Sequence, residues 1–436
     1  TTEIYTLSLH DALPISRPAS RRSAGSRTVN APRRTVQSET SSNGAKAQHR
    51  TPSRPFPQAP IRGRYAGGMF RTLAFTTALT VLGPIAAQQT LDALQQRFAQ
   101  EARALGDQPS RNDVEALRAR QIAALRRFVD GAASGADTAN GRLMLADFQL
   151  ASGEREAAVA TLQKLDADTA PGLVLVTAAA MAQHLGRDDL RDTFVQKGAD
   201  KPAPRADRMA MARILMTVLH EIERAAAIYE QELGKATDDE ARAFVRWHRA
   251  DAMRDREDLP DNAGFEELQR LADDLPDTYW GAVAKDRLRA TTLRPGDAAI
   301  PFRVRTRDGK QIASDDLRGK AVVLLFWSGA DRDLPRLLET LRPLQQRHGD
   351  KLFVLGINLD RDAEQIGRDQ ERLGLDVPVV GDGKGIEQDL PLRWFVEGPQ
   401  VHVLDADGKV VGLGLHAGTA DGRAELIEVI GRAVPK

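Results

Sequence analysis

Residues 321–328, AVVLLFWS, form an apolar run with no polar residue before Ser328. A strand wetted on one side alternates apolar and polar residues. An unbroken run belongs instead to a strand covered on both faces, as in the parallel sheets of α/β domains. Such a strand needs neighbouring strands and two layers of helix, and the flanking sequence supplies candidates for both. KLFVLGINLD (351–360) is a second apolar run, and DVPVVGD (376–382) a short third. Helical patterns fill 334–348, 362–373 (ended by Gly374) and 421–433. Asp308-Gly309 within 302–313 and Asp407-Gly408 within 399–416 mark two strand–turn–strand units. From the Pro295-Gly296 joint onward, the chain is expected to fold as a mixed sheet covered by helices.

The preceding stretch, 88–292, has another texture. It is rich in Ala, Leu, Arg, Glu and Asp, with apolar residues at three- and four-residue spacing and no alternating run. An internal period is visible: Gly153, Gly186 and His220 fall in successive turns, 33 and 34 positions apart. That period is similar to tetratricopeptide-like helical hairpins, in which small residues such as Ala146 and Ala158 let paired helices approach. A generic helical bundle is the alternative. Segments 246–255 and 265–288 read as a further, degenerate hairpin. His184, His220 and His248 show no metal-ligand spacing, so packing or surface histidines are expected.

Residues 1–15 read as a translated library adapter and 16–68 as spurious upstream translation, since no methionine precedes Met69. Segment 16–68 holds eleven Lys/Arg and one acidic residue among many Ser, Pro and Gly, a composition that cannot bury a core. Met69 opens a signal-peptide layout over 69–87: one basic residue, an apolar run from Leu73 to Ile85, and small residues at Ala86-Ala87. The expected product is exported, periplasmic or secreted at a bacterial envelope, with a retained N-terminal anchor as the alternative to cleavage. The chain is neutral overall, but residues 1–68 carry +8, so the remainder carries −8. That balance gives no footing for a nucleic-acid partner. The cysteine count is zero, so neither disulfides nor thiol chemistry are available to this chain.

Over about 296–436 the sequence resembles the thioredoxin-like redoxins of the thiol-specific-antioxidant (AhpC/TSA) and TlpA type. The matching features are GDAAIPF, the Asp-Gly-Lys hairpin, DLRGKAVVLLFW, FVLGINLD, and Gly-Pro followed by VLDADGKVV. The fold class implied is an all-α tetratricopeptide-like repeat region followed by an α/β thioredoxin-like domain. The family carries Trp-Cys-x-x-Cys a few residues after its Phe-Trp; here the two cysteine positions fall on Asp331 and Leu334. The family's cis-proline maps onto Pro399.

In that family the first cysteine lies at a helix N-terminus, where free N–H groups and the helix dipole favour the thiolate. A carboxylate gains the same stabilisation. Asp331 or Asp333 is therefore expected to cap the helix starting near Leu334, with Pro335 in its first turn and Pro343 kinking its interior. Both aspartates are expected to be exposed and to act as caps rather than as an acid–base pair. Asp360, Asp362 and Glu364 lack a calcium-loop glycine and read as a strand end and helix cap. The glycine-rich 381–385 lacks a phosphate-loop ending. His402 and His416 read as strand-packing residues. No catalytic residue, metal or cofactor is expected.

The resemblance implies a groove lined by Trp327, Asp331, Asp333, Gly398, Pro399 and Gln400, able to hold an extended polypeptide. A protein-binding or scaffold module is therefore the leading function, with a protein or extended peptide as partner and no membrane contact after signal cleavage. The alternatives are a thiol–disulfide oxidoreductase or peroxidase fed by an external thiol partner, and a purely structural cap on the helical stack.

Overall fold

The computed structural model describes residues 90–436 except 106–109, 133–134, 257–258 and 261. The readings of 1–15, 16–68 and the signal segment 69–87 lie outside the described residues.

Eleven helices among the described residues build the first region: α1 (Leu91–Ala104), α2 (Arg111–Gly131), α3 (Ala136–Ala151), α4 (Arg155–Gln163), α5 (Gly172–His184), α6 (Asp188–Gly198), α7 (Arg205–Thr217), α8 (Ile222–Gly234), α9 (Asp239–Arg254), α10 (Ala263–Asp274) and α11 (Tyr279–Ala290). None is long and apolar enough to cross a membrane.

The 33-residue spacing has a structural cause. α3 ends with Gly153 at φ 80, its N–H bonded to Leu150 O and the next N–H, of Glu154, to Gln149 O. α5 ends the same way, with Gly186 at φ 72, its N–H on Gln183 O and Arg187 N–H on Ala182 O. These are paired Schellman closures that satisfy the last free carbonyls of each helix. The exit of α7 holds one residue more: Leu219 N–H bonds Ile214 O, His220 takes the positive φ (57), and Glu221 N–H bonds Leu215 O. The step of 34 is that extra residue.

α5 is buried almost all round and packs against α6 at backbone distance. A Cβ on Gly198 would stand 2.7 Å from Leu175 Cβ, and one on Gly172 2.8 Å from Gly198 O, so only glycine permits this approach. Thr278, just after Leu275-Pro276-Asp277, caps α11 by accepting the Gly281 N–H (3.0 Å).

The second region contains β1 (Arg303–Arg305), β2 (Gln311–Ala313), β3 (Ala321–Trp327), α12 (Leu334–His348), β4 (Leu352–Asn358), α13 (Ala363–Arg372), β5 (Val379–Val380), α14 (Asp389–Trp394), β6 (Gln400–Leu404), β7 (Val410–Leu415) and α15 (Ala420–Ala433). β1 and β2 form the expected hairpin, with Gly309 at φ 88. The main sheet runs β5-β4-β3-β6-β7, parallel through β5, β4 and β3 and antiparallel from β3 to β6 to β7.

All seven residues of β3 are buried, and alternation divides them between two cores. Ala321, Val323, Leu325 and Trp327 join Leu334, Leu337, Leu338 and Leu341 of α12 and Leu426 and Ile430 of α15. Val322, Leu324 and Phe326 join Ile300, Phe302, Leu390, Trp394 and Val396 on the other face. α12 is continuous through Pro343. α14, absent from the sequence expectations, is six residues long and contains Pro391.

Candidate functional site

Open α/β sheets present their sites beyond the carboxyl ends of the parallel strands. Here that end carries the turn 328–333, and Asp360, just past β4, pins it. Asp360 Oδ1 accepts from Ser328 Oγ at 2.5 Å, and Oδ2 accepts from Gly329 N–H (2.8 Å) and Asn358 Nδ2 (2.9 Å). Asn358 Oδ1 in turn accepts the Asp360 N–H at 2.8 Å. Gly329 sits hard against Asp369 of α13: a Cβ there would stand 2.0 Å from Asp369 Oδ2. Arg372 clamps the same point, donating to Gly329 O (3.2 Å) and Asp369 Oδ1 (2.7 Å).

The two aspartates differ in role. Asp331 Oδ1 accepts the Asp333 N–H at 3.0 Å, a local turn one step ahead of the helix. Asp333 occupies the cap position of α12, yet its carboxylate caps no N–H and instead faces Arg336 Nη1 at 3.5 Å. The expectation of exposed capping carboxylates is thus corrected twice over. Both residues are half-buried, because the chain after β7 folds over them: a Cβ on Gly418 would stand 2.5 Å from Asp333 Oδ2. Burial raises the Asp331 carboxyl above the ordinary range; the Asp333 N–H opposes the rise, the Asp333 charge adds to it, and His416 opposes it.

Leu334, at the second cysteine position, is 1% exposed and packs in the α12-side core. Trp327 is fully buried and belongs to the same core, so it lines no exposed groove. Its indole lies against β4 where Gly356 leaves room: a Cβ there would stand 3.1 Å from Nε1. Gln400 pairs with Phe326, which sets Gly398 and Pro399 beyond the same sheet end as the 328–333 turn. No peptide bond among the described residues is cis, so the bond before Pro399 is trans, unlike the family's cis-proline.

His402 is buried as expected. Its ring lies 5.3 Å from Phe326 and 5.4 Å from Trp394, and Nδ1 accepts the Gly414 N–H at 3.0 Å. His416, by contrast, is exposed beyond β7, facing Asp331 rather than packing in a strand. Asp362 caps α13 through Glu364 and Gln365 N–H (2.9 and 3.1 Å), as expected.

The AhpC/TSA family matches residues 295–412. The chain is 30% identical over 126 residues to thiol-disulfide oxidoreductase ResA of Geobacillus thermodenitrificans, covering 28% of this chain and 68% of that protein. The chain belongs to the AhpC/TSA family. It is also 25% identical over 145 residues to thioredoxin-like protein YneN of Bacillus subtilis, covering 33% of this chain and 82% of that one. A solved thiol:disulfide interchange protein of the thioredoxin family from Chlorobium tepidum is 21% identical, with a TM-score of 0.28, over 33% of this chain and 98% of its own. The AhpC/TSA domain follows a helical region, and the whole chain has no cysteine.

Sequence reading missed the pinning of the turn by Asp360 and Arg372, and the cover from 416–418. Asp360 was visible as a strand-end carboxylate, but nothing in its spacing points to Gly329. The inward direction of Trp327 was readable, since strand parity places it with Val323 and Leu325.

Proposed function

We propose that this is an exported protein-binding or scaffold protein whose AhpC/TSA domain has given up thiol chemistry. The observation that carries this reading is the turn after β3. It keeps a full set of bonds to Asp360 and Arg372 although Asp331 and Leu334 stand where the family carries its cysteines. Exchange of disulfides and reduction of peroxides by this family both need a thiolate nucleophile. A held turn without a nucleophile is what a retained binding surface requires. The occupant is an extended polypeptide, laid along Gly398-Pro399 and the 328–333 turn. The helical region, with its tetratricopeptide-like pitch, adds a second surface for a protein partner. The apolar run Leu73 to Ile85 and the small residues after it support export to a bacterial envelope.

A second reading rests on the names of the relatives, two of which are thiol–disulfide proteins. It is an oxidoreductase role in which a partner supplies the thiols.

One experiment separates the two. Disulfide reduction and peroxide turnover are measured, with a reduced redoxin added as thiol donor and against the donor alone, for the parent protein and for the Asp331→Cys/Leu334→Cys double variant. A fluorescent extended peptide is titrated into both. The expected outcome is peptide binding by both proteins and turnover by the variant alone. Turnover by the parent would favour the oxidoreductase reading. Failure of both proteins to bind peptide would remove the groove and leave a structural cap.

A further inference from the structure

Phe395 is one of two non-glycine residues with positive φ among the described residues (φ 53, ψ 49). It ends α14, and an aromatic residue in the left-handed region is rare because Cβ crowds its own backbone. Such a conformation persists where the surroundings over-determine it. The surroundings here belong to the helical region. The guanidinium of Arg254 (α9) lies 4.9 Å from the ring centroid and that of Arg287 (α11) 4.6 Å, while Phe265 (α10) meets the ring edge-on at 5.9 Å. Two residues further on, Glu397 accepts from Arg254 Nη1 at 2.6 Å. Two residues earlier, Arg393 donates to Asp286 of α11 at 2.7 Å. Within its own domain the segment is held by Phe395 N–H on Leu392 O (3.4 Å), by Val396 N–H on Pro391 O (2.9 Å) and by the buried Val396 side chain.

The clamp is itself buttressed. Arg254 and Arg287 both reach Asp251 Oδ1, at 3.3 and 3.5 Å, and Asp251 is also bonded by Arg213. Two like charges are thus assembled beside one ring by a shared carboxylate, and the electron-rich ring face accepts them.

We propose that the helical region sets the conformation of residues 395–397, with Arg254 and Arg287 holding Phe395 in its left-handed geometry. Whatever displaces this clamp reshapes the approach to β6 at Gly398-Pro399 and leaves β3 and its turn in place. The inference stands independently of peptide binding.

The test uses the full chain and two variants. Arg254→Gln/Arg287→Gln removes the clamp. Phe395→Ala removes the ring and supplies no residue at ease in the left-handed region, and it leaves the Asp251 network whole should the first variant fail to fold. Hydrogen exchange of the Val396 amide and cleavage after Glu397 by glutamyl endopeptidase are read beside the amides of β3 and β4. Both variants should show at least tenfold faster exchange and cleavage at 396–397 with unchanged β3 and β4. Unchanged rates at 396–397 in Phe395→Ala would overturn the proposal. So would an acceleration spread evenly over β3, β4 and the segment, which marks general loss of stability.

Discussion

The imidazole of His402 is sealed between Phe326, Trp394 and the backbone of β7, and burial pushes its pKa down from 6.5 to about 4. Between these values the unfolded chain binds a proton that the folded chain refuses. Stability is therefore full above about pH 6.5 and falls as pH drops towards 4, by roughly 2–3 kcal/mol for this residue. His248 in α9 is held to about 4 for the same reason and adds a parallel loss. His402→Gln keeps an acceptor for the Gly414 N–H and should remove about half of this slope, read as urea midpoints between pH 7 and pH 4.5. A slope indifferent to the substitution would show that His402 is not sealed. Asp331 is the contrasting case. Its place at the start of α12 could be read from the sequence, but its half-buried state could not, because the residues that cover it lie far along the chain at 416–418.

At the scale of elements, the three hairpin turns of the helical region offer an internal comparison. Gly153 and Gly186 take positive φ without a Cβ; His220 does the same with one. His220 is exposed and its side chain bonds nothing among the described residues, so His220→Gly should relieve the crowding and stabilise the protein by about 0.5–1 kcal/mol. Thermal unfolding checks this, and a destabilised variant would mean that the imidazole makes a contact of value. The pitch of these hairpins was legible because closing glycines recur in the sequence. The strands were legible because the central run is apolar throughout and the β1–β2 and β6–β7 units turn at Asp308-Gly309 and Asp407-Gly408. α14 was not. Six residues with a proline inside carry no amphipathic period, and the helix is fixed by its packing on α11 and by the bonds of Arg393 to Asp286 and Asp389. Of the residues expected to line a groove, Gly398, Pro399 and the 328–333 turn share one sheet end, while Trp327 faces the core.

Across the whole molecule, one carboxylate of the helical region, Asp251, buttresses the arginines that meet the AhpC/TSA domain at Phe395 and Glu397. Burial alone would raise the Asp251 carboxyl, but Arg213, Arg254 and Arg287 together pull it down to about 2. Its contribution is present above the ordinary carboxylate pKa and is lost only as pH falls through about 2. Asp251→Asn takes from the buried Arg287 the carboxylate it reaches, while Arg213 and Arg254 keep Asp255 and Glu397, and should cost about 3 kcal/mol at neutral pH. Calorimetry should show the helical region and the AhpC/TSA domain destabilised together; a loss confined to one of them would show the contact between them to be looser. The strand order has a consequence for how the chain assembles during synthesis. Most hairpins of the helical region touch their immediate successors, so they can close as they emerge. β3 must wait, unpaired on one side, until β6 has been made. α14 arrives just before β6 and docks on helices already finished. A docked α14 would hold the chain close to the open edge of β3 that β6 pairs with, an edge that is otherwise open to other chains.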